Sequence, residues 1–510
     1  MIDLDGILLV SAVVLIVAIL AARVGARVGL PSLLLFLGIG LLMGDSGISV
    51  WMNRPDLAVD FNDANMANAL GFGALVLILA EGGLTTRWHD IRPSIGLASS
   101  LATLGVGVSV GLMTLVGYYV LDLNIWLALL LGAVTSPTDA AAVFSVLRRV
   151  PIPRRLRGSL EAESGLNDAP TVLLVVLASD AAVGHGVEGG ALAVLALIVG
   201  ELVGGVLIGG GLGWVGVQIL RRVALPSSGL YPLAALVWSV FTFAVGAQSH
   251  TSGFAAVYVC ALMLGNAQLP HRAATRSFVE GIGWIAQIGL FIMLGLLATP
   301  TDVKLREVLI ALGAGTFLTF VARPISVWVS TVWFGLKVRD QIFLSWAGLR
   351  GAVPIVLATI PRANGVPGSL ELFNIVLVFV IVFTFLQAPT LPFVARVLRL
   401  AEDDTATDLE VEAAPLDKIS ADLLQVRIPA NSRLSGIEIS ELRLDRHTVV
   451  SLIIREGAPF VPEARERIKV GDELLIVTPS AERLQTEDRL RALARGGRLA
   501  RWREDRPTAS

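Results

Sequence analysis

The sequence is short of charge and of cysteine. Only 16% of its 510 residues are charged, whereas 54% are hydrophobic, and the mean hydropathy is +0.73. Soluble globular enzymes do not combine so little charge with apolar runs long enough to cross a bilayer, so that class is excluded. A β-barrel would show short alternating segments instead. The single cysteine, Cys260, cannot form an internal disulfide.

The N-terminus has no basic region before its first apolar run, which predicts a retained spanning helix and not a cleaved signal peptide. Charge is concentrated at the other end, where the last 110 residues hold 38 of the 82 charged side chains. We therefore predict a membrane domain over residues 1–400, followed by a water-soluble region.

Long apolar runs are what the sequence has in abundance. Windows of about 20 apolar residues predict 13 helices in an all-α, multi-pass protein of the cell (inner) membrane. The predicted spans are 6–26, 30–45, 67–85, 93–121, 125–147, 163–183, 190–220, 229–248, 252–267, 281–299, 305–335, 340–361 and 372–397. Arginine-rich loops alternate with acidic ones, so the N-terminus is predicted outside and the C-terminal region in the cytoplasm.

Several ionisable residues fall inside these spans, where each costs about 2.5–3.5 kcal/mol and indicates function. In the fifth span, Pro137 breaks the helix beside Asp139, with hydroxyls at positions 135, 136 and 138. Such a break is tolerated at membrane depth where it lines a cavity or contacts protein. Its oxygens predict a site for a hard cation. Alternatively, Asp139 only caps the loose helix end.

The sixth span places Ser164 and Asp168 on one face, four residues apart, with Glu163 and Asn167 on the adjacent stripe. The alternative for Glu163 is that it simply lies at the membrane surface. Asp168 lies at least one turn deeper among apolar residues, so we predict that its role is functional and not only structural.

The twelfth span is also interrupted by proline, at Pro354, and carries Arg350 between Gly348 and Gly351. Spans 5 and 12 occupy corresponding places if spans 1–6 and 8–13 are two halves of opposite orientation. Paired interruptions of this kind indicate a binding site at the interface of two inverted repeats in a secondary transporter.

Three further charged residues need partners or roles. Arg323 in the eleventh span requires an anion, with Glu163 as the first choice and Asp139 as the second. Glu81, near the end of the third span, is either a surface residue or an entry ligand. Glu201 in the seventh span has no motif around it, which favours a helix-packing contact.

These motifs resemble the cation:proton antiporter-1 family, in particular its NhaP-type sodium/proton and potassium/proton antiporters. The matching segments are EGGL at 81–84, TSPTDAA at 135–141, ESGLNDAP at 163–170, the arginine at 323 and GLRGAVP at 348–354. The resemblance implies a homodimer with a dimerisation domain (spans 1–3 and 7–10) and a core domain (spans 4–6 and 11–13). The broken helices 5 and 12 would cross near the midplane.

The resemblance also implies the site residues. The residues implied to bind the ion are Asp168, Ser164, Asp139 and Thr138. The residues implied to stabilise the core and compensate its charges are Glu163, Asn167, Arg323 and Arg350. Glu81 matches a family acid near the cytoplasmic entrance. Asn167 matches the electroneutral branch.

The chemistry of a single buried acid predicts the exchange. Asp168 is neutral when protonated or paired with K⁺ or Na⁺, whereas the empty, charged carrier is disfavoured in the membrane. Because Asn167 does not titrate, we predict one cation exchanged for one proton, without net charge movement. An unpaired Asp139 would add a second charge and change that ratio.

The tail predicts a smaller domain. Residues 401–416 are an acidic linker, and 417–482 contain short alternating segments at Leu423–Ile428, Val449–Ile454 and Glu473–Val477. They resemble the TrkA-C subdomain of regulators of potassium conductance, which implies a dimerising α+β module that senses a nucleotide-type ligand, and favours K⁺. The alternative is a passive dimer clamp. The arginine-rich residues 483–510 are predicted to be flexible, with a membrane-surface helix as the alternative.

Two other functional classes lack their characteristic motifs in the sequence. A regulated cation channel would need a filter-like carbonyl loop, and an enzyme would need an intramembrane Ser/His pair, paired metal-ligating histidines or a nucleotide loop. None is evident in the sequence. We predict no cofactor for transport and no nucleic-acid partner. The sequence leaves K⁺, Na⁺ and Li⁺ open, since all three prefer oxygen ligands.

Overall fold

The computed structural model describes residues 4–28, 30–44, 47, 61, 63–147, 152–186, 190–400, 410–416, 421–429, 432–479 and 482–497. The chain forms two compact units, Met1–Ala401 and Glu402–Ser510. Residues 401–409 of the predicted linker and 498–510 of the predicted tail lie outside the described residues.

The described part of the first unit is helical. Its helices are α1 (Leu4–Val28), α2 (Ser32–Met43), α3 (Ala64–Thr85), α4 (Trp88–Tyr119), α5 (Ile125–Thr135), α6 (Ala140–Leu147), α7 (Arg154–Ala182), α8 (Gly190–Arg222), α9 (Leu230–Gln248), α10 (Gly253–Asn266), α11 (Arg272–Leu297), α12 (Leu305–Phe334), α13 (Val338–Trp346), α14 (Ala352–Ala363) and α15 (Ser369–Val397). Within α4 and α12 the backbone forms π turns at Leu101–Gly105 and Leu318–Ala322.

Eight of these helices are long and apolar enough to cross a membrane: α1, α3, α4, α8, α9, α11, α12 and α15. Shorter apolar helices lie at Ser32–Met43, Ile125–Thr135, Gly253–Asn266 and Val353–Ala363. The unit is therefore a membrane-embedded helical bundle. Helix α7 begins at Arg154 and α11 at Arg272, each nine residues before the predicted start. Hydropathy detects only the apolar part of a helix, and both begin with charged turns.

Packing within the first unit falls into two groups. Helix α10 packs on α3, α8 and α9, while α11 packs on α2 and α3. In the second group α7 packs on α4 and α5, and α15 on α12 and α14. The two groups contact each other where α3 packs on α14 and where α7 packs on α10. Close helix approach depends on small residues, as where a Cβ at Gly40 would lie 2.9 Å from the Cα of Gly295.

The second unit contains an antiparallel five-stranded sheet in the order β1-β2-β5-β3-β4. The strands are β1 (Glu410–Leu416), β2 (Ala421–Arg427), β3 (Val449–Arg455), β4 (Ala458–Phe460) and β5 (Glu473–Pro479). The predicted flexible linker is wrong for its last seven residues, because Glu410–Leu416 pair in register with β2. Acidic composition concealed the strand, whose backbone hydrogen bonds do not depend on side-chain charge.

The last helix, α16 (Arg483–Gly496), corrects the prediction of a flexible arginine-rich tail for these residues. Its residues Leu490, Leu493 and Ala494 share one face and are buried in the same core as Leu424 and Ile476 of the sheet. The apolar stripe of α16 therefore packs on the sheet, so residues 483–496 belong to the folded unit.

Candidate ion site

Two interrupted helices meet at the centre of the first unit. Helix α5 ends at Thr135 and α6 begins at Ala140, while α13 ends at Trp346 and α14 begins at Ala352. The two non-helical segments are joined by a hydrogen bond of 2.8 Å from the Asp139 amide to the Leu349 carbonyl. Pro137 lies inside the first segment, as its missing N–H and fixed φ require.

Gly351 is required by this close contact. A Cβ at that position would overlap the Asp139 carboxylate. Asp139 also accepts a hydrogen bond of 3.3 Å from the Ala142 amide, so it caps α6. The capping role weighed from the sequence is therefore present, and it leaves the carboxylate beside the interrupted segment of the other helix.

Arg350 compensates the carbonyl ends of the broken helices. Its Nε donates to the Thr135 carbonyl at 3.2 Å, and its Nη1 donates to the Gly348 carbonyl. The Arg350 carbonyl accepts from the Thr384 hydroxyl at 2.8 Å. The C-terminal end of a helix carries partial negative charge, so a buried guanidinium at these carbonyls offsets it.

Asp168 lies on α7, with one side-chain oxygen left without a hydrogen bond. The residue is 9% exposed, and its Oδ1 is buried and has no hydrogen-bond partner in the part of the chain that the structure describes. The charges of Asp168 and Asp139 are close enough to act on each other. Pro170 is accommodated within α7, and the Thr171 hydroxyl donates to the Asn167 carbonyl at 2.6 Å.

Asn167 links α7 to the first interrupted helix. Its Nδ2 donates to the Thr138 hydroxyl at 3.0 Å, and both residues are buried. The amide therefore holds the α5–α6 segment against the helix that carries Asp168. Asn167 positions the site without adding a titratable group.

Glu163 and Arg323 form a buried ion pair. Arg323 Nη1 lies 2.7 Å from Glu163 Oε1, and Nη2 lies 3.1 Å from Oε2, with the two side chains 2% and 1% exposed. The structure thus contains the pair that was the first choice from the sequence, and Glu163 does not lie at the membrane surface. A two-point guanidinium–carboxylate contact is the geometry that tolerates burial.

Glu81 lies at the end of α3, among other acids. It packs against Gly283 of α11, where a Cβ would lie 2.8 Å from its Cγ. Its charge and those of Glu280 and Glu161 are close enough to interact. We call Glu81, Glu161 and Glu280 the acidic entrance, after the position that the family resemblance implies for Glu81. The sequence indicated only Glu81, because Glu280 stands beside a charged loop like any surface residue.

Sequence reasoning also missed Tyr258 and Thr86. Tyr258 is a buried residue of α10 that packs against α7 at Gly165, and Thr86 follows α3 and donates to Glu161 Oε1 at 2.9 Å. A tyrosine within an apolar run carries no sequence signal of function, although the chain has only four.

The second unit has its own buried charge. Asp472 is fully buried and accepts hydrogen bonds of 2.8 Å from both Nε and Nη2 of Arg455, and one of 2.7 Å from the Lys469 amide. Burial alone raises the pKa of the Asp472 carboxyl, but the hydrogen bonds from Arg455 and Lys469 outweigh burial and hold that pKa below its ordinary value. Hydrogen bonding to Asp472 likewise raises the pKa of Arg455.

Comparisons with known proteins agree with both units. Residues 11–397 match the model of the sodium/hydrogen exchanger transmembrane family, and 423–491 match the TrkA-C domain. The chain is 34% identical to the K⁺/H⁺ antiporter NhaP of Alkalimonas amylolytica, over 93% of this chain and 81% of that protein. It is 31% identical to the K⁺/H⁺ antiporter NhaP2 of Shewanella oneidensis, with the same coverage.

A solved structure agrees with the fold of the first unit. The sodium proton antiporter MjNhaP1 from Methanocaldococcus jannaschii superposes with a TM-score of 0.63 at 20% identity, over 77% of this chain and 98% of that one. At that identity the likeness supports the fold alone. On the family match and the relatives, this chain belongs to the sodium/hydrogen exchanger family and carries a TrkA-C domain after its membrane unit.

Proposed function

We propose that this protein is a secondary transporter that exchanges a monovalent cation for a proton by alternating access, with both ions competing at Asp168. The observation that carries the proposal is the buried Asp168 carboxylate, one oxygen of which has no hydrogen-bond partner among the described residues. A buried carboxylate requires a compensating partner, and either a proton or a cation supplies it.

Charge balance supports one-for-one exchange. Glu163 is neutralised by Arg323. We further propose that Arg350, which is buried at the same helix crossing and donates to the Thr135 carbonyl, offsets the charge of Asp139. Asp168 then contributes the one charge left over in this cluster. One proton or one monovalent cation makes the cluster neutral, so both loaded states can change access while the empty state is disfavoured. Asn167 adds no charge.

The cation we propose is K⁺, with Na⁺ as a second substrate. Two relatives that match most of the chain are named K⁺/H⁺ antiporters. The second unit matches the TrkA-C domain, which resembles a subdomain of regulators of potassium conductance. Oxygen ligands alone do not separate the alkali cations. Residues Ser164, Thr138 and Asp139 are the proposed additional ligands or ligand supports.

The first unit is proposed to work as 13 spans, with α5 and α6 forming one broken span and α13 and α14 the other. Two inverted halves would place these spans at one crossing. The first packing group would form the dimerisation domain of a homodimer and the second the moving core. The N-terminus would lie outside and the second unit in the cytoplasm of the cell (inner) membrane.

The second unit is proposed to regulate transport by dimerising and binding a nucleotide-type ligand. Its match to TrkA-C over residues 423–491 supports this role. Thermal stabilisation of the purified protein by individual nucleotides, with an accompanying change in exchange rate, tests it. Stabilisation without a change in rate would favour a passive clamp.

Exchange in proteoliposomes tests the main proposal. An outward gradient of K⁺, Na⁺ or Li⁺ should drive proton uptake, fastest with K⁺, and Asp168→Asn should abolish it. One-for-one exchange predicts no transport current on a solid-supported membrane. A current that scales with transport would contradict electroneutrality, and ohmic single-channel events would contradict antiport.

A further inference from the structure

Tyr258 lies beside the ion site on a helix of the other packing group. It is 5% exposed and packs against α7 at Gly165. A Cβ at position 165 would lie 2.5 Å from Tyr258 Cζ and 2.6 Å from its hydroxyl oxygen, so only glycine leaves room for the phenol. Gly165 follows Ser164 directly and precedes Asp168 by about one helical turn. The phenol is therefore a neighbour of the predicted ion ligands.

The Tyr258 hydroxyl lies beside Thr86, which is hydrogen-bonded to Glu161. The Thr86 hydroxyl donates to Glu161 Oε1 at 2.9 Å, and the Tyr258 hydroxyl interacts with the Thr86 side chain. A threonine hydroxyl has a single hydrogen, which here is used on Glu161. Towards Tyr258 the Thr86 oxygen can therefore only accept, which leaves the lone pairs of the phenolic oxygen available to another partner.

Thr86 is itself held in place by Asn266 at the end of α10. The Asn266 Nδ2 donates to the Thr86 carbonyl at 2.9 Å, and its Oδ1 accepts from the Trp88 amide at 2.8 Å. Thr86 is 4% exposed. The turn that orients the phenol is thus fixed from both sides, so the chain from Tyr258 to Glu161 has a defined direction.

The position of the phenol suits a cation in transit. The phenol contacts α7 at Gly165, four residues after Glu161 and three before Asp168, so it lies between the acidic entrance and the ion site, and the charges of both acids act on its hydroxyl. Hard monovalent cations prefer oxygen ligands, and a neutral oxygen between two acids shortens the distance that a cation must cross without a ligand.

We infer that Tyr258 supplies an oxygen to the cation between the acidic entrance and Asp168, with Thr86 and Glu161 as the positioning residues that orient this oxygen. The inference rests on the proposed antiport and adds a binding residue to its ion path. It assigns a role to the first packing group, which contains α10, beyond packing.

Kinetics in proteoliposomes test this role with Tyr258→Phe, which keeps the ring and removes the oxygen. The apparent KM for K⁺ should rise about fivefold, because the variant loses one contact of about the strength of a hydrogen bond. Vmax should stay within about twofold of the wild-type value. The acid limb of the pH profile should move to higher pH, because a more weakly held cation displaces the proton from Asp168 only at lower proton concentration.

Two further variants complete the test. Thr86→Val, which removes the orienting hydroxyl at nearly constant shape, should raise KM in the same direction, and the double variant should exceed Tyr258→Phe only slightly, since the two act in one chain. Tyr119→Phe is the matched control, because Tyr119 is 76% exposed, and it should leave KM and the pH profile unchanged.

Each outcome bears on a different statement. Wild-type KM and pH profile in both Tyr258→Phe and Thr86→Val would overturn the inference, as would an equal loss of Vmax at all K⁺ concentrations and pH values. If Tyr258→Phe does not elute as a folded protein in detergent, Thr86→Val decides. Absence of K⁺ or Na⁺ exchange in the unmodified protein would instead contradict the proposed function.

Discussion

Each of the two units buries an aspartate. The two aspartates differ in how completely their carboxylates are hydrogen-bonded, and this difference distinguishes a structural acid from one suited to bind ions. Asp472 in the second unit is fully buried and receives three hydrogen bonds, two from Arg455 and one from the Lys469 amide. Asp168 in the membrane unit is also buried, yet its Oδ1 receives no hydrogen bond from any described residue. A permanently satisfied carboxylate stabilises a fold, whereas an incompletely satisfied one is suited to exchange partners.

The same contrast recurs within one helix. Glu163 and Asp168 both lie on α7, and Arg323 binds Glu163 at two points. Without that pair the site would hold two competing acids, and the number of ions bound per cycle would no longer be set by one of them. Under the proposed function, the ion pair leaves Asp168 as the acid of this helix that exchanges ions.

Asp168→Asn is the substitution with the largest expected effect. The amide cannot take up a proton or neutralise a cation, so cation-driven proton movement should fall about 100-fold or more, to background. The measurement is pH recovery in inverted vesicles. Asp180→Asn is the matched control on the same helix, because the Asp180 carboxylate accepts a hydrogen bond of 3.1 Å from the Asn364 side chain, away from the ion site. If Asp168→Asn exchanged ions at the wild-type rate, Asp168 would not bind the ions, and its contrast with Asp472 would have no bearing on transport.

Arg323→Gln should cost the membrane unit most of its stability. It leaves Glu163 buried without its cation, at a cost of about 3–5 kcal/mol. Thermal unfolding in detergent measures the loss. The double variant Glu163→Gln/Arg323→Gln removes both charges and should recover part of the loss. A double variant no more stable than Arg323→Gln would mean that the two charges do not act as a pair.

Asp472→Asn should affect the second unit alone. It weakens the charged hydrogen bonds with Arg455, at about 2–3 kcal/mol. Hydrogen–deuterium exchange of residues 421–479 in the full chain should speed up, while helix α7 and the exchange of cation for proton stay unchanged. The matched control is Ser451→Ala, because Ser451 lies on β3 but outside the cluster around Asp472. Gln425 is unsuitable for a control substitution, because its side chain is hydrogen-bonded to Glu473.

Acidification gives the smallest expected change. The folded pKa of Asp472 lies below its ordinary value, which is about 3.9 in an unfolded chain. Its contribution to stability is therefore fully present above about pH 4 and is lost as the pH falls through the folded pKa. Exchange protection of residues 421–479 should be flat from neutral pH down to that point. A loss of protection between pH 7 and 5 would contradict this assignment.

Much of the membrane unit was predictable from the sequence, for identifiable reasons. The two breaks lie at Pro137 and at the glycines around Arg350, residue types that weaken helices, although Pro170 is accommodated within α7. Ionisable residues in apolar spans marked Asp139, Asp168 and Arg323 because each is costly in a membrane. Boundaries were less accurate at α7 and α11, whose first turns are charged.

Other features left no signal in the sequence. Strand β1 lies in an acidic segment, and α16 in an arginine-rich one, where composition favoured disorder over the backbone pairing and the apolar stripe that the structure contains. Tyr258 resembles any apolar-span tyrosine until its contact with Gly165 is known. Each of these depends on a neighbour that is distant in the chain.

The sequence by itself determined that the chain is a helical membrane protein with acids and arginines in its spans, because hydropathy and the cost of buried charge depend on residue type and order. Only the tertiary structure decided which acid is paired. Glu163 meets an arginine 160 residues further along the chain, and Asp168 keeps an oxygen that no described residue hydrogen-bonds. Pairing is a matter of a few ångströms between distant residues, and that distance exists only once the helices have packed.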